Sequence, residues 1–284
     1  MRISSTSMEP IYIWRKILHP FSGKKRNQFE RNNTLLMKKY RFVPNKNDIE
    51  NLQNIPVFII SYDRLSYVKQ MVEHLQKYGM KNIHIIDNQS SYPPLLEYLK
   101  SCPCTVHYMD KNYGHEVFWR SGKFKKYMKN VYILTDPDIE LNENLPSDWL
   151  QLMYTKLGEY RNITKIGFEL RWDDLPNTPQ GNSTKNTILN EFHKFRLPKE
   201  DLEMYLCDID TIFALYRPGY PHPGSKRYYA GIRIADPRYV ARHIPWYFDK
   251  NNETDEDRYY INHADLNVSN WARGEISKNK VKDK

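Results

Sequence analysis

Four short apolar segments, each followed by polar residues, alternate with helix-like segments in the first half of this 284-residue chain. Apolar runs rich in β-branched residues are typical of the buried strands of a parallel sheet. The four predicted strands are IPVFIIS (55–61), NIHIIDNQSS (82–91, running into a polar turn), TVHYMD (105–110) and VYILTDPD (131–138). This alternation predicts an α/β fold with a mostly parallel central sheet flanked by helices.

A helical pattern follows the first predicted strand. Its apolar residues recur at helical spacing, at Leu65, Val68, Met71, Val72 and Leu75. We expect Asp63 to cap the start of this helix and Gly79 to end it. A second helix is predicted at PPLLEYLKS (93–101), because proline is tolerated in a first helical turn. We interpret 111–130 as a loop followed by a helix, and the ordered domain as beginning at Ile55.

Polar residues follow each of the four predicted strands. The clusters occupy 61–64, 87–90, 110–114 and 136–138. Parallel α/β sheets bind their ligands beyond the carboxyl ends of the strands, and all four clusters are predicted to lie at that rim. The sequence therefore predicts a binding site there.

The last of these clusters, Asp136-Pro137-Asp138, places two acidic residues two positions apart. In a strand, such residues point to the same side, so both carboxylates are predicted to face one point. Two anions held close together need a compensating cation or a shared proton. The pattern therefore favours a divalent ion, Mg²⁺ or Mn²⁺, that carries a diphosphate on its open positions. The alternative is a surface turn, in which Asp and Pro are common.

The segment 55–149 resembles the nucleotide-sugar half of the GT-A glycosyltransferases, most closely the family 2 group. The resemblance rests on four motifs in the family's order: Ser61-Tyr62-Asp63-Arg64, IIDNQSS, the Asn-x-Gly turn of KNYGHEVFWRSG, and the Asp-x-Asp of TDPDIEL. It implies a GT-A fold in one catalytic domain over 55–275. The nucleotide-sugar half would span 55–150 and the acceptor half 151–275, with a polar tail at 276–284.

The resemblance also implies roles for individual residues. The nucleotide-binding candidates are Ser61, Tyr62, Asp63, Arg64, Asp87, Asn112 and Asp136. Asp87 would read the base, while Asp136 and Asp138 would contact the ribose and the metal-bound diphosphate. For Asp63 the alternative role is a helix cap. Arg64 either meets a phosphate or lies in solvent.

A downstream histidine is a further metal ligand in many GT-A enzymes. His243 in ARHIPWY is the candidate here, beside Asp136 and Asp138, and His263 is the second choice. The resemblance therefore implies Mn²⁺ or Mg²⁺ as the cofactor. Imidazole is an acceptable ligand for Mn²⁺.

The second half of the chain contains the candidates for catalysis. Asp208 and Asp210 precede the predicted strand TIFALYR (211–217), and either is a candidate general base for an acceptor hydroxyl. The alternative is a structural pair at the start of a strand. The acidic run 254–257 is interpreted as the start of a C-terminal helix. Asp173 and Asp174 are expected to be solvated.

The charge and the cysteine content constrain partners and location. The net charge is +9, and residues 1–54 form a basic leader that either lies on an anionic membrane surface or packs against the domain. The three cysteines support neither a disulfide framework nor a zinc site, which favours reduced thiols in the cytoplasm. No apolar run is long enough to predict a membrane-spanning helix.

These patterns and the resemblance together favour a metal-dependent glycosyltransferase, and the family 2 likeness implies that it inverts. It would move a sugar from a UDP- or GDP-linked donor to a hydroxyl of a glycan or lipid-linked acceptor. One alternative is a sugar-phosphate nucleotidyltransferase, although FIISYDRLS lacks the glycine-rich loop expected of that class. Another is a non-catalytic basic binding module. Nucleic acid is not an expected partner, because the predicted rim is acidic.

Overall fold

A computed structural model of the chain describes residues 42–160, 163–178, 181–182, 184–185, 195–197, 202–207, 209, 213–219 and 231–264. Most of the predicted basic leader, the polar tail and the two catalytic candidates, Asp208 and Asp210, lie outside the described residues.

The described part of the chain contains alternating helices and strands. The helices are α1 (Lys46–Ile49), α2 (Leu65–Lys77), α3 (Pro93–Ser101), α4 (Val117–Arg120), α5 (Trp149–Glu159) and α6 (Asp255–His263). The first six strands are β1 (Val57–Ser61), β2 (Ile83–Asp87), β3 (Thr105–Tyr108), β4 (Tyr132–Thr135), β5 (Ile139–Glu140) and β6 (Lys165–Phe168). The others are β7 (Phe195–Arg196), β8 (Met204–Cys207), β9 (Ala214–Tyr216), β10 (Gly231–Ile234) and β11 (Arg242–His243).

Nine of these strands form one sheet in the order β3-β2-β1-β4-β9-β6-β10-β8-β7. Strands β1 to β4 pair in parallel, as do β6 and β10, whereas β9 and β8 run antiparallel to their neighbours. Within the described residues, seven of the nine strands thus point the same way. The predicted α/β fold class, with a mostly parallel sheet flanked by helices, is confirmed.

The core lies on both faces of this sheet. Every residue of β1, β2 and β4 is buried, which explains why these segments are apolar throughout rather than alternating. On one face, α2 buries Val68, Met71, Val72 and Leu75. On the other, Phe58 and Tyr132 contact the ring of Phe118, at centroid distances of 4.8 and 4.7 Å.

Two local predictions are corrected by the structure, and a third is confirmed. Ordered structure starts before Ile55, because α1 is capped by Asn45 and Phe42 packs edge-on against Tyr154. The helix predicted within 111–130 is reduced to α4, because Gly122 adopts a positive φ of 71° soon after it. The predicted end of α2 is confirmed, since Gly79 follows it with φ 75°.

No helix among the described residues has both the length and the apolar character needed to cross a bilayer.

Candidate functional site

The direction of chain progression reverses between β1 and β4. The chain places β2 and β3 on one side of β1 and then returns to add β4 on the other side. In open parallel sheets this arrangement opens a crevice beyond the carboxyl ends of the two central strands, and ligands bind there. Residues 61–64 include the end of β1, residues 87–90 include the end of β2, and residues 136–138 follow β4. The predicted polar rim therefore lies at the switch point of the sheet.

Asp63 joins the loop after β1 to the loop after β2. It is fully buried in the left-handed region, with φ 50°, which Asp tolerates better than most residues. Its Oδ1 accepts hydrogen bonds from the backbone N–H of Ser91 at 2.6 Å and of Tyr92 at 2.7 Å. The prediction that Asp63 caps α2 is wrong: the N-cap of α2 is Arg64, which makes no side-chain capping bond. The carboxylate instead holds the loop that leads into α3.

Asp87 ends β2 directly opposite Ser61 of β1. It is 3% exposed, and its Oδ1 accepts a hydrogen bond from the backbone N–H of Ser90 at 3.1 Å. Burial raises the pKa of Asp87, although the bonds from Ser90 oppose that shift. A buried carboxylate therefore lies beside the switch point, and its role in reading a base stays a prediction.

Asn112 helps to shape the loop beyond β3. The side chain of Asn88, buried after β2, donates to Asn112 Oδ1 at 2.8 Å and accepts from the backbone N–H of Tyr113 at 2.9 Å. Asn112 Oδ1 also accepts from the backbone N–H of Gly114, whose φ is 71°. The amide of Asn112 therefore stabilises the Asn-x-Gly turn, whose left-handed glycine fits the predicted need for a tight turn.

Arg64 is neither solvated nor directed at open space. Its side chain is 6% exposed and pairs with Asp257 of α6, with Nη1 2.5 Å from Oδ1. The guanidinium also lies over the ring of Tyr260, 4.3 Å from its centroid. The prediction that Arg64 either meets a phosphate or lies in solvent did not include this partner, which is 193 residues away in the sequence.

The predicted geometry of the Asp-Pro-Asp segment is wrong in one respect. Strand β4 ends at Thr135, so Asp136, Pro137 and Asp138 form a turn rather than a continuation of the strand. Alternation along a strand therefore gives no basis for pointing the two carboxylates at one place. Proline at the centre of the segment is consistent with this early end, because it cannot donate to a sheet ladder.

A two-stranded ribbon brings His243 to Asp138. Strand β5 pairs antiparallel with β11, so that His243 lies opposite Ile139. The backbone N–H of Ile244 also donates to the carbonyl of Asp138 at 2.9 Å. As a result, His243 Nε2 lies 3.5 Å from Asp138 Oδ2, with the two side chains 26% and 22% exposed. The structure thus brings together two residues that are 105 positions apart in the chain and were both predicted as metal ligands.

Charged and polar side chains hold the ribbon in place. Arg242 of β11 donates to Asp174 Oδ2 from Nη2 at 2.6 Å, and Tyr247 donates to Asp174 Oδ1 at 2.6 Å. Glu140 of β5 accepts from Gln70 of α2 at 3.0 Å. Asp173 is exposed as expected, whereas the expectation that Asp174 is solvated is wrong, because it is part of this network.

Three buried polar atoms at this rim have no hydrogen-bond partner among the described residues. They are Ser61 Oγ, Asp138 Oδ1 and His243 Nδ1. Burial raises the pKa of Asp138, but His243 and Arg64 lower it by a larger amount, so that the net pKa lies below the ordinary value. A partly exposed carboxylate with a lowered pKa and one buried, unpaired oxygen is suited to a cation.

A metal ion at Asp138 and His243 would have few protein ligands. No group of three or more His, Cys, Asp or Glu side chains within the described ranges is arranged to hold a metal. Mg²⁺, however, is commonly bound by one or two carboxylates, substrate phosphates and water rather than by a full protein cage. The donor pair therefore fits an ion that arrives with a phosphorylated ligand, and does not fit a structural metal.

Other predicted residues line the site less directly. The Tyr62 hydroxyl donates to the carbonyl of His263 at 3.4 Å, and the His263 ring is exposed and stacks on Tyr259 at 3.9 Å. His263, at the end of α6, therefore contacts Tyr259 of the same helix and the loop after β1.

Sequence reasoning missed Asp257 and Glu256 as partners of the rim, although it correctly predicted a helix at the acidic run 254–257. The acidic run itself was the one sequence signal for these two residues.

Comparison with known proteins gives limited similarity. No family model matches the chain, and no curated protein matches it. Among solved structures, the chain is similar to GalNAc-T7 crystallised with UDP, GalNAc and Mn²⁺, with a TM-score of 0.43 and 14% identity. The match covers 73% of this chain and 48% of that one, so this chain matches about half of that protein's length.

A second similar structure is a putative glucose-1-phosphate thymidylyltransferase from Bacillus anthracis in complex with a sucrose. The TM-score is 0.33 and the identity 8%, over 78% of this chain and 83% of that one. Both TM-scores are below 0.5, so the function proposed below rests on the geometry of the rim. The family 2 resemblance stays a prediction.

Proposed function

We propose that the protein is a metal-dependent glycosyltransferase that uses a nucleoside diphosphate sugar and transfers the sugar to a hydroxyl of a glycan or lipid-linked acceptor. The observation that carries the proposal is the Asp138–His243 pair at the switch point of a parallel sheet. Its two side chains are 3.5 Å apart, and each has a buried polar atom without a partner in the described structure. The motif order of the GT-A resemblance supports the same assignment.

Different residues of the rim would bind different parts of such a donor. Asp138 and His243 would hold Mn²⁺ or Mg²⁺, which neutralises the charge of a leaving diphosphate. Asp87 and the unpaired hydroxyl of Ser61 lie opposite each other on β2 and β1, where a nucleoside would meet both. Asp136, on the turn between β4 and Asp138, remains the candidate for the ribose.

Asp63 and Asn112 have a supporting role in this proposal. Their side chains already accept hydrogen bonds from the backbone of the loops that surround the crevice. They would therefore shape the nucleotide pocket without contacting the nucleotide through the atoms that are already engaged. The general base stays assigned to Asp208 or Asp210 by the sequence alone.

Donor hydrolysis tests the proposal without knowledge of the acceptor. Purified protein is incubated with a panel of UDP- and GDP-sugars, with Mn²⁺, with Mg²⁺ or with EDTA, and nucleotide release is measured. We expect release from at least one donor, dependent on the metal and reduced at least about 100-fold in Asp138→Asn.

Asp173→Asn is the matched control, because it makes the same chemical change at an exposed aspartate beside the ribbon. It should leave hydrolysis unchanged. Metal-independent release that persists in Asp138→Asn would reject the assignment of this residue. In parallel, UDP or GDP should raise the melting temperature of the wild type only when Mn²⁺ is present.

A further inference from the structure

The segment 122–130, called the lysine loop below, places four lysines on the surface between α4 and β4. All four are exposed, and they are Lys123, Lys125, Lys126 and Lys129. Between them, Phe124 is 1% exposed, and its ring lies 5.5 Å from the ring centroid of Phe58. Tyr127 packs on the same ring at 4.8 Å. Because these aromatic side chains attach the loop to the core, the lysines are held outward in a defined arrangement.

The charge of the lysine loop is not neutralised by neighbouring acids. Residues 108–130 contain six basic and two acidic side chains. Of the two acids, Glu116 pairs with Arg120, and Asp110 accepts a hydrogen bond from the Tyr113 hydroxyl at 3.1 Å. None of the four lysines makes an ion pair with another described residue. The lysine loop therefore presents a positively charged surface to solvent.

This surface continues onto β3, the strand at one end of the sheet. Lys123 Nζ donates to the carbonyl of Tyr108, the last residue of β3, at 3.3 Å. The Tyr108 side chain is 51% exposed, and it is the only exposed Phe, Tyr or Trp among the described residues. Tyrosine and lysine together suit the headgroup region of a bilayer, where an apolar ring and a cation both find partners. Because Tyr108 ends β3, the surface reaches the rim that holds the candidate site.

We propose that the lysine loop and Tyr108 form a docking surface for an anionic phospholipid bilayer. Each lysine close to an anionic leaflet strengthens binding about five-fold. Single-stranded nucleic acid, another polyanion, binds by stacking successive bases on several aromatic side chains, whereas this surface exposes one such ring among its described residues. The chemistry of the surface therefore favours lipid headgroups. Docking does not depend on the proposed function, because none of these residues belongs to the candidate site.

Sedimentation with vesicles measures the docking directly. The 284-residue protein is mixed with vesicles of phosphatidylcholine alone or with vesicles that also contain about 30% phosphatidylserine. We expect binding to the anionic vesicles, little binding to the neutral ones, and release as the salt concentration rises from about 0.1 to about 0.5 M. The double variant Lys125→Gln, Lys126→Gln should bind anionic vesicles about 10- to 30-fold more weakly, because two charges near the leaflet are lost.

Two controls separate this surface from charge and apolar area elsewhere. Lys69→Gln, Lys77→Gln removes the same charge from exposed lysines of α2, which packs on the other face of the sheet. It should change binding by less than about two-fold, since charges farther than a Debye length from the leaflet are screened. Tyr108→Ser should weaken binding about three-fold through loss of the interfacial ring. Val43→Ser, at the other exposed large apolar side chain of the described residues, should leave binding unchanged.

Lysine methylation tests the same surface in the wild type without any substitution. Reductive methylation followed by mass spectrometry of peptides reports the accessibility of each amine. With anionic vesicles present, we expect protection of the four lysines of the lysine loop and no protection of Lys69 and Lys77. This measurement distinguishes contact through the lysine loop from contact through the basic leader.

A wild-type protein that did not bind anionic vesicles would overturn the inference. Equal binding by Lys125→Gln, Lys126→Gln, or a lysine loop that vesicles leave unprotected, would also overturn it and would assign the contact to another part of the chain. Tighter binding to single-stranded DNA than to vesicles at the same salt concentration, lost in this double variant, would assign the surface to nucleic acid instead. Donor hydrolysis in solution should be unchanged in the double variant, so a failure of docking and a failure of the proposed function are separate results.

Discussion

Two aspartates at the same rim of the sheet differ in their hydrogen bonding. Asp63, after β1, is fully buried, and its two oxygens accept three hydrogen bonds from the backbone and the hydroxyl of Ser91 and from the backbone of Tyr92. Asp138, after β4, has one oxygen without a partner in the described part of the chain and the other 3.5 Å from His243. Both were predicted from the sequence as site residues.

The difference separates residues that build the rim from residues that are available to a ligand. A buried carboxylate with all its bonds made inside the protein stabilises the loops that it joins. A buried carboxylate oxygen without a hydrogen-bond partner costs stability, and a cation bound there would offset that cost. We therefore expect Asp63 to affect folding and Asp138 to affect activity, and the following predictions test that division.

The largest effect is expected for activity in Asp138→Asn. Donor hydrolysis should fall by at least about 100-fold, while the free energy of unfolding should change by less than about 1 kcal/mol, because the unpaired oxygen contributes little to the fold. Hydrolysis rates and urea unfolding of the same preparation provide the two measurements. If Asp138→Asn lost enough stability to account for its loss of activity, Asp138 would stabilise the fold as Asp63 is expected to, and the two aspartates would not differ in role.

Asp63→Ala is expected to show the opposite behaviour. The change leaves the backbone N–H groups of Ser91 and Tyr92 without an acceptor and places alanine at φ 50°. We expect the free energy of unfolding to fall by about 2–4 kcal/mol, measured by urea denaturation. Asp63→Asn keeps an oxygen at Oδ1 and tolerates the left-handed region, so it should recover more than half of that loss. If Asp63→Ala proved as stable as the wild type, the buried bonds would not hold the loop.

His243→Asn should give a smaller effect, confined to the metal. Mn²⁺ affinity is expected to fall about 10-fold, since the ion would lose one protein ligand and keep Asp138. Relaxation measurements with Mn²⁺ alone give the affinity directly. His263→Asn is the matched control at the second histidine candidate, whose ring is exposed and stacked on Tyr259. Equal losses of Mn²⁺ affinity in both variants would show that His243 is not a specific ligand of the ion.

Local patterns in the sequence were sufficient to predict most of the sheet and the acidic rim. Strands β1, β2 and β4 are buried on both faces, so their apolar runs signal them without any long-range information. Proline at the start of α3 and glycine after α2 also have local causes. The prediction of His243 beside Asp138 came from the family resemblance, and the structure places the two together.

What sequence reasoning missed depends on contacts between distant segments. The bonds of Asp63 go to residues 28 and 29 positions away, which is why a local rule made it a helix cap. The partner of Arg64 is 193 positions away, and no pattern of spacing links it to Asp257. Strand β4 also ends one residue before the first acid, because the turn at Pro137 starts the ribbon that carries His243.

The last prediction tests the same rule at a polar pair away from the rim. His84 on β2 is buried, with Nδ1 3.0 Å from His107 Nε2 and Nε2 2.8 Å from Asn82 Oδ1. Burial, together with the smaller contributions of His107 and Lys126, lowers the pKa of His84 to about 4. Burial also lowers the pKa of His107, which faces Lys126 and Lys123.

A pKa below the ordinary value of 6.5 means that the unfolded chain binds more protons than the folded chain between pH 6.5 and about 4. Stability from the neutral imidazole is therefore present above pH 6.5 and is lost as the pH falls towards 4. We expect a loss on the order of 2 kcal/mol from this site, seen as the difference in urea unfolding between the wild type and His84→Gln across that range. Because glutamine can donate and accept without titrating, the variant should lose less stability on acidification. If the stabilities of the wild type and His84→Gln fell in parallel with pH, protonation of His84 would carry no cost in stability. Hydrogen bonding alone would then not identify which buried polar groups stabilise the fold.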